Sequence, residues 1–167
     1  HSFIPAGVFD DHTAFPHNVA SAKKLLQESG IQVKNLQPIE LYSYANDENA
    51  LVLQYIQDTL QRTLGLPIAI KLYEYKTFRS KLDLLDGSIA YTHWGADYPD
   101  PDSFLSIFLS NSGNNRAGWA NKRFDFLIHQ AATTIDGIPR NLLCKEALKI
   151  LLQDETVAVP IFYDSLT

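Results

Sequence analysis

Apolar positions along this chain change their period several times, and each change predicts an element. Asn18 is a cap-type residue ahead of Ala22, Leu25 and Leu26, which predicts a helix from Val19 to Ser29 ended by Gly30. Ile31 to Pro38 reads as a connector. From Ile39 to Tyr44 (Ile-Glu-Leu-Tyr-Ser-Tyr) apolar residues alternate in part, as on a strand. Val52, Leu53, Ile56, Leu60 and Leu64 then recur at helical spacing, so a helix is expected from about Glu48 to Leu64. Asn46, Asp47 and Asn49 are cap types at its start, and Gly65 and Pro67 stop it.

Ile68 to Tyr73 predicts the next strand, and its near-continuous apolar start suits a central strand covered on both faces. Glu74 and Tyr75 close it. Thr77 is expected to cap a helix carrying Phe78, Leu82, Leu84 and Leu85, which Gly87 ends. Ser88 to His93 predicts a third strand. Strands alternating with helices imply parallel pairing, so all three strands finish at one sheet edge. That edge collects Tyr44, Ala45, Glu74, Tyr75, Trp94 and Asp97, and it is the expected ligand site.

The remainder is more helical. Asp102 or Ser103 is expected to cap a short helix with Phe104, Leu105, Phe108 and Leu109. Ser110 to Ala120 is a long aperiodic loop, in which Trp119 is expected to pin the loop to the body. Asn121 caps a helix with Phe124, Leu127, Ile128 and Ala131, and a further helix is expected from Pro139 to about Gln153. Val157 to Tyr163 reads as a last strand that Pro160 keeps from an interior place. His1 to Phe15 has no period and reads as an irregular arm. The fold class expected is α/β, a βαβαβ unit with a mainly parallel sheet flanked by helices.

Composition narrows the function. The chain has 167 residues, room for one domain with a real core. Its net charge of −5 argues against a nucleic-acid partner, since phosphate binding needs a basic surface. No apolar run approaches the roughly 20 residues of a membrane span. The single cysteine, Cys144, reads as a buried small hydrophobe. There is no methionine and no signal-type leader, so the chain is expected either to start within a longer protein or to have lost a leader by processing.

Catalytic and metal motifs are missing: no Gly-x-Ser-x-Gly, no His-Glu-x-x-His and no Walker loop. The prolines Pro99 and Pro101 spoil a calcium-loop reading of Asp97, Asp100 and Asp102. Asp100 and Asp102 read as turn and cap residues, while Asp97 divides evenly between a turn role and a ligand role. His1, His12, His17, His93 and His129 show no metal-ligand spacing, and no metal or cofactor is expected. His93 stands out only by its place at a strand end. Trp94 and Tyr75 suit either a core or a stacking surface, and Tyr98 reads as a core aromatic.

Several blocks together resemble the C-terminal lobe of the peptide/nickel family of extracytoplasmic solute-binding proteins, the oligopeptide and dipeptide receptors of ABC importers. The blocks are Trp94 to Phe104, Ser110-Asn111-Ser112-Gly113-Asn114-Asn115, Gly118-Trp119 and Phe124-Asp125-Phe126-Leu127-Ile128. Ala22-Lys23-Lys24-Leu25-Leu26 before Gly30 and Glu74-Tyr75-Lys76-Thr77-Phe78 add to them. The resemblance implies a periplasmic-binding-protein type II-like lobe, a single domain whose partner, an N-terminal lobe, is missing. It implies a non-catalytic, periplasmic or extracytoplasmic receptor that hands an oligopeptide ligand to an ABC permease, with a lipid anchor on the parent left open. By the resemblance, Asp97 pairs with a peptide α-ammonium group, the backbone at His93 and Gly95 bonds the peptide as an added strand, and Trp94, Tyr75 and Tyr98 belong to the ligand surface. Some oligopeptide receptors carry arginine three residues before the tryptophan, where this chain has Tyr91. Other ligands of the family, a metal chelate, haem or a cell-wall peptide, stay open. So do a small α/β hydrolase using Asp97, Asp100 and His93, and a module that only docks on a permease.

Overall fold

A computed structural model describes residues 2–10, 17–84 and 87–163. His1, His12, Phe15 and Leu85 lie outside the described residues. The chain forms two compact units: residues 17–93, and residues 1–16 with 94–167.

The first unit runs α1 (Val19–Glu28), β1 (Ile39–Tyr44), α2 (Asp47–Leu64), β2 (Ile68–Tyr73), α3 (Tyr75–Lys81) and β3 (Ile89–Ala90). Its sheet is parallel, in the order β2-β1-β3. Ile39 pairs with Ile68 and Tyr44 with Tyr73, so β1 and β2 end level. Side chains alternate along β1 onto two cores. Leu41 packs with Leu53 and Ile56 of α2, Ile68 and Tyr91, whereas Tyr42 packs with Phe78 and Leu82 on the α3 side. The alternation of the β1 sequence is thus real, and each phase has its own helix.

Several expectations need correction here. The central strand is β1, not β2: Leu41, Tyr42 and Ser43 are buried, while Lys71 and Leu72 of β2 face solvent. The apolar start of β2 reflects Ile68 and Ile70 packing on the α2 side alone. Glu74, not Thr77, caps α3, its carboxylate accepting from Lys76 N (2.9 Å) and Thr77 N (3.2 Å). Leu84 is exposed. The third strand keeps only Ile89–Ala90 of the expected Ser88 to His93, plus one rung from Tyr91 N to Tyr42 O at 2.8 Å. Helix α1 buries none of its residues fully, and Leu25 of the expected apolar face is exposed. Asn46 caps α2, and Gly65, left-handed at φ 70, closes it by donating to Gln61 O.

The second unit carries α4 (Asp102–Leu105), continued by a 3₁₀ turn Ser106–Phe108, then α5 (Lys122–Thr133) and α6 (Gly137–Lys149) with a π turn Ile150–Asp154. Asn121 caps α5 as expected, accepting from Arg123 N and Phe124 N. Asp136 caps α6, which begins at Gly137, two residues ahead of the expected Pro139; Pro139 sits in the first turn, where its missing N–H costs nothing. Pro101, not Asp102 or Ser103, holds the cap position of α4, with no side-chain bond. Phe124, Leu127 and Ile128 of α5 meet Cys144, Ala147 and Leu148 of α6. Ile4 and Phe9 complete this core, so residues 2–10 are irregular but are packed in rather than a free arm. Val157 to Tyr163 forms no strand: Pro160 interrupts it and Tyr163 turns its hydroxyl onto Ile4 O at 2.9 Å. Trp119 does pin its loop, donating to Glu155 (2.9 Å) and meeting the Phe124 ring edge-on at 4.9 Å. Among the described residues, no helix is long and apolar enough to cross a membrane.

Cys144 lies in this core, and burial pushes its thiol up to about 11. It should therefore resist a thiol-specific disulfide reagent in the native protein at neutral pH and react fully once denatured. Rapid labelling of the native chain would contradict that packing.

Candidate functional site

The strand ends of the first unit carry a ring cluster. Tyr44, the last residue of β1, stands 5.6 Å from the Tyr75 ring, nearly perpendicular, and 6.4 Å from His93. Tyr91 meets His93 edge-on at 5.0 Å. Phe78, buried beneath, contacts Tyr44 and seats the cluster on the sheet. Tyr75 is 59% exposed despite these contacts, so its ring surface is offered to solvent rather than spent in the core. Tyr75 and His93 therefore belong to one surface through Tyr44, a residue whose place at the edge the sequence indicated.

Beneath the rings lies a polar hub that sequence reasoning missed. Asn49, fully buried in the first turn of α2, donates to Ser43 Oγ and to Tyr44 O, both at 3.0 Å. Ser43 donates on to Tyr91 O at 2.8 Å, and His93 Nε2 lies 3.2 Å from Asn49 Oδ1. Asn49 looked like one of several cap candidates; the cap is Asn46, which frees the Asn49 side chain to point inward.

In the second unit, residues 94–99 are exposed and are fastened from one side by the buried Ser103. Ser103 is the fastening point: its carbonyl accepts from Trp94 Nε1 at 2.7 Å, and its hydroxyl accepts from Asp97 N at 3.0 Å. Trp94 and Asp97 are thereby held at one short stretch. The Asp97 carboxylate itself has no partner among the described residues. Tyr98 donates to Asp102 at 2.7 Å, and that carboxylate holds its phenol up at about 12. Tyr98 is 47% exposed, so it is a surface residue and not the core aromatic that its type alone suggested. Gly95 is exposed, with nothing within 4 Å of where a Cβ would stand.

Main-chain groups from Thr92 to Ala96 make no hydrogen bond among the described residues. The ladder stops at Tyr91 and the turn bonds resume at Asp97. Unpaired backbone running on from a strand is a template on which an extended segment can add.

Arg140 of α6 anchors the proline turn. Its guanidinium takes both oxygens of Asp100 at 2.6 and 2.9 Å, and its Nε donates to Ala131 O. Partial burial alone would raise the Asp100 carboxyl; the Arg140 guanidinium and the Asp102 N–H outweigh it and hold the group below its ordinary value. Asp100 is thus spoken for, as the turn role implied. The pairing with Arg140, distant in sequence, had no local signal. Asp100→Asn should cost about 1–3 kcal/mol at neutral pH, toward the lower end because both groups are partly exposed. A depressed carboxyl stabilises above its unfolded value of about 3.9 and loses that contribution as pH falls through the folded value. Urea unfolding should show the gap between wild type and variant closing below about pH 4; an undiminished gap at about pH 3 would refute the pairing's role.

The comparisons bear on this geometry. Residues 1–116 match the family model of bacterial extracellular solute-binding proteins, family 5, middle part. Oligopeptide-binding protein OppA of Bacillus subtilis is 32% identical over 143 residues, 84% of this chain and 26% of its own length. OppA of Listeria monocytogenes bound to peptide superposes with a TM-score of 0.69 at 28% identity, over 84% of this chain and 26% of that one. OppA of Burkholderia pseudomallei reaches a TM-score of 0.84 at 24% identity, over 95% and 33%, a likeness of fold. The chain therefore spans about a quarter to a third of the proteins it matches, and its α/β architecture is theirs. With the family model matched over more than half of the chain, this chain belongs to the bacterial extracellular solute-binding proteins of family 5.

Proposed function

We propose that this chain is one lobe, the C-terminal part, of a larger two-lobed receptor that binds oligopeptides outside the cytoplasm and passes them to an ABC permease. It does so without catalysis. The observation that carries this reading is the main chain from Thr92 to Ala96, unpaired among the described residues, leading directly into the Asp97 carboxylate, which has no partner among them. A peptide supplies what that stretch lacks. Its backbone adds as a strand beside His93 and Gly95, and its α-ammonium group pairs with Asp97. Trp94, 37% exposed with its indole N–H already satisfied by Ser103, offers a ring face to side chains. Tyr75 does the same in its own unit, and Tyr98 borders the acid. Backbone-led binding of this kind tolerates many sequences. The relatives named for oligopeptide binding support the same ligand class.

Calorimetric titration of the parent receptor with free-amine tri- to pentapeptides, beside the same peptides N-acetylated, tests the reading. Binding of the free-amine set and loss on acetylation are the expected results. Equal binding of both sets removes the role of Asp97. Binding of neither set overturns the peptide reading and brings metal chelates, haem or cell-wall peptides forward.

A further inference from the structure

The Asn49 hub has only one consistent pattern of donors. Tyr44 O is a carbonyl and can only accept, so the Asn49 atom 3.0 Å from it is the amide nitrogen. Ser43 Oγ spends its proton on Tyr91 O at 2.8 Å, so it accepts from the second Asn49 N–H. Both amide protons are then used, and Oδ1 is left as an acceptor. His93 Nε2, 3.2 Å from Oδ1, must be the donor. A neutral imidazole carries one proton, so the opposite nitrogen, Nδ1, bears a lone pair. Nδ1 has no partner among the described residues, and His93 is exposed at the strand end, between the rings of Tyr44 and Tyr91.

We propose that Asn49 is a positioning residue that locks His93 in the Nε2–H tautomer, so that His93 Nδ1 accepts a hydrogen bond from a backbone N–H of the bound peptide. The inference rests on the peptide reading above and deepens it by assigning one side-chain contact. It makes His93 selective for a ligand with a donor at that place, in addition to the main-chain contacts, which are indifferent to sequence. Asn49 suits the task because burial fixes it. Its two donor bonds reach β1, and Ser43 ties the same hub to the Tyr91 carbonyl two residues before His93.

The tautomer is tested without ligand. Long-range ¹H–¹⁵N spectra of the ¹⁵N-labelled chain in mildly alkaline buffer separate protonated from bare ring nitrogens, and His93→Ala identifies which signals belong to His93. The expected result is a protonated Nε2 and a bare Nδ1, relaxing toward a mixture in Asn49→Ala. A wild-type ring protonated at Nδ1, or averaging freely, overturns the proposal even where Asn49→Ala fails to fold. The acceptor role is tested on the parent receptor with peptides N-methylated at one backbone position at a time. One position should lose roughly two- to tenfold in affinity beyond its penalty in His93→Ala, the worth of one hydrogen bond. The same penalties in wild type and His93→Ala at every position overturn the acceptor role. If no peptide binds, that role falls together with the peptide reading, and the ring-nitrogen shifts still decide the tautomer.

Discussion

Asp97→Asn in the parent receptor should weaken binding of free-amine peptides by on the order of 2–4 kcal/mol, roughly 30- to 1000-fold, and leave N-acetylated peptides where they were. The size follows from what the substitution strands. A peptide α-ammonium group brought out of water needs an opposite charge, and the amide that replaces the carboxylate keeps its shape but not its charge. The protein loses nothing by the exchange. The Asp97 carboxylate has no partner among the described residues, and the turn is held through its backbone N–H to Ser103, which asparagine also has. Stability should therefore stay within about 0.5 kcal/mol of wild type. Affinity and stability thus separate a ligand role from a turn role for this acid. A variant that binds free-amine peptides as wild type does, or one that unfolds early, would return Asp97 to the turn.

The largest loss of stability should come from Phe124→Ala, about 3–5 kcal/mol in urea unfolding followed by far-UV circular dichroism. Phe124 is fully buried in the first turn of α5. Its ring packs in the core with residues of α4, α6 and the segment 2–10, and meets the Trp119 indole edge-on. Truncation leaves a cavity the neighbours cannot refill, because α5 is fixed by the Asn121 cap and by packing along α6. Typical domains hold only about 5–15 kcal/mol in all, so the variant should sit near the edge of folding. Phe126, two positions on, is half exposed on the same helix, and its truncation should cost under about 1 kcal/mol. Equal costs at both positions would mean the helix faces have been assigned wrongly.

The same contrast shows what could be read along the chain. Elements whose signals are local were legible. Ile39–Tyr44 and Ile68–Tyr73 stand at their expected bounds, α2 begins one residue from its expected start, and Asn121 caps α5. Alternation, helical spacing, capping residues and left-handed glycines act within a few residues, so sequence carries them directly. The strand-end position of Tyr44, Tyr75 and His93 followed from the βαβ pattern, because parallel strands share an edge. The Trp94 to Phe104 block pointed to the family that the comparisons then showed.

What depends on partners far along the chain could not be read that way. Which strand is central depends on pairing order, and β1 took that place because β2 and β3 both chose it. The third strand stops early because only two of its residues find a ladder on β1. Val157 to Tyr163 has the composition of a strand and no strand to pair with among the described residues, so its side chains anchor residues 2–10 instead. Arg140 reaches Asp100 across forty positions, and Asn49 reaches His93 across forty-four. Sequence by itself determined the local elements, the α/β class and the aromatics Tyr44 and Tyr75 beside the strand exits. Tertiary structure alone decided which polar groups satisfy one another, since a buried donor is paired with whatever the fold brings within about 3 Å, at any separation along the chain.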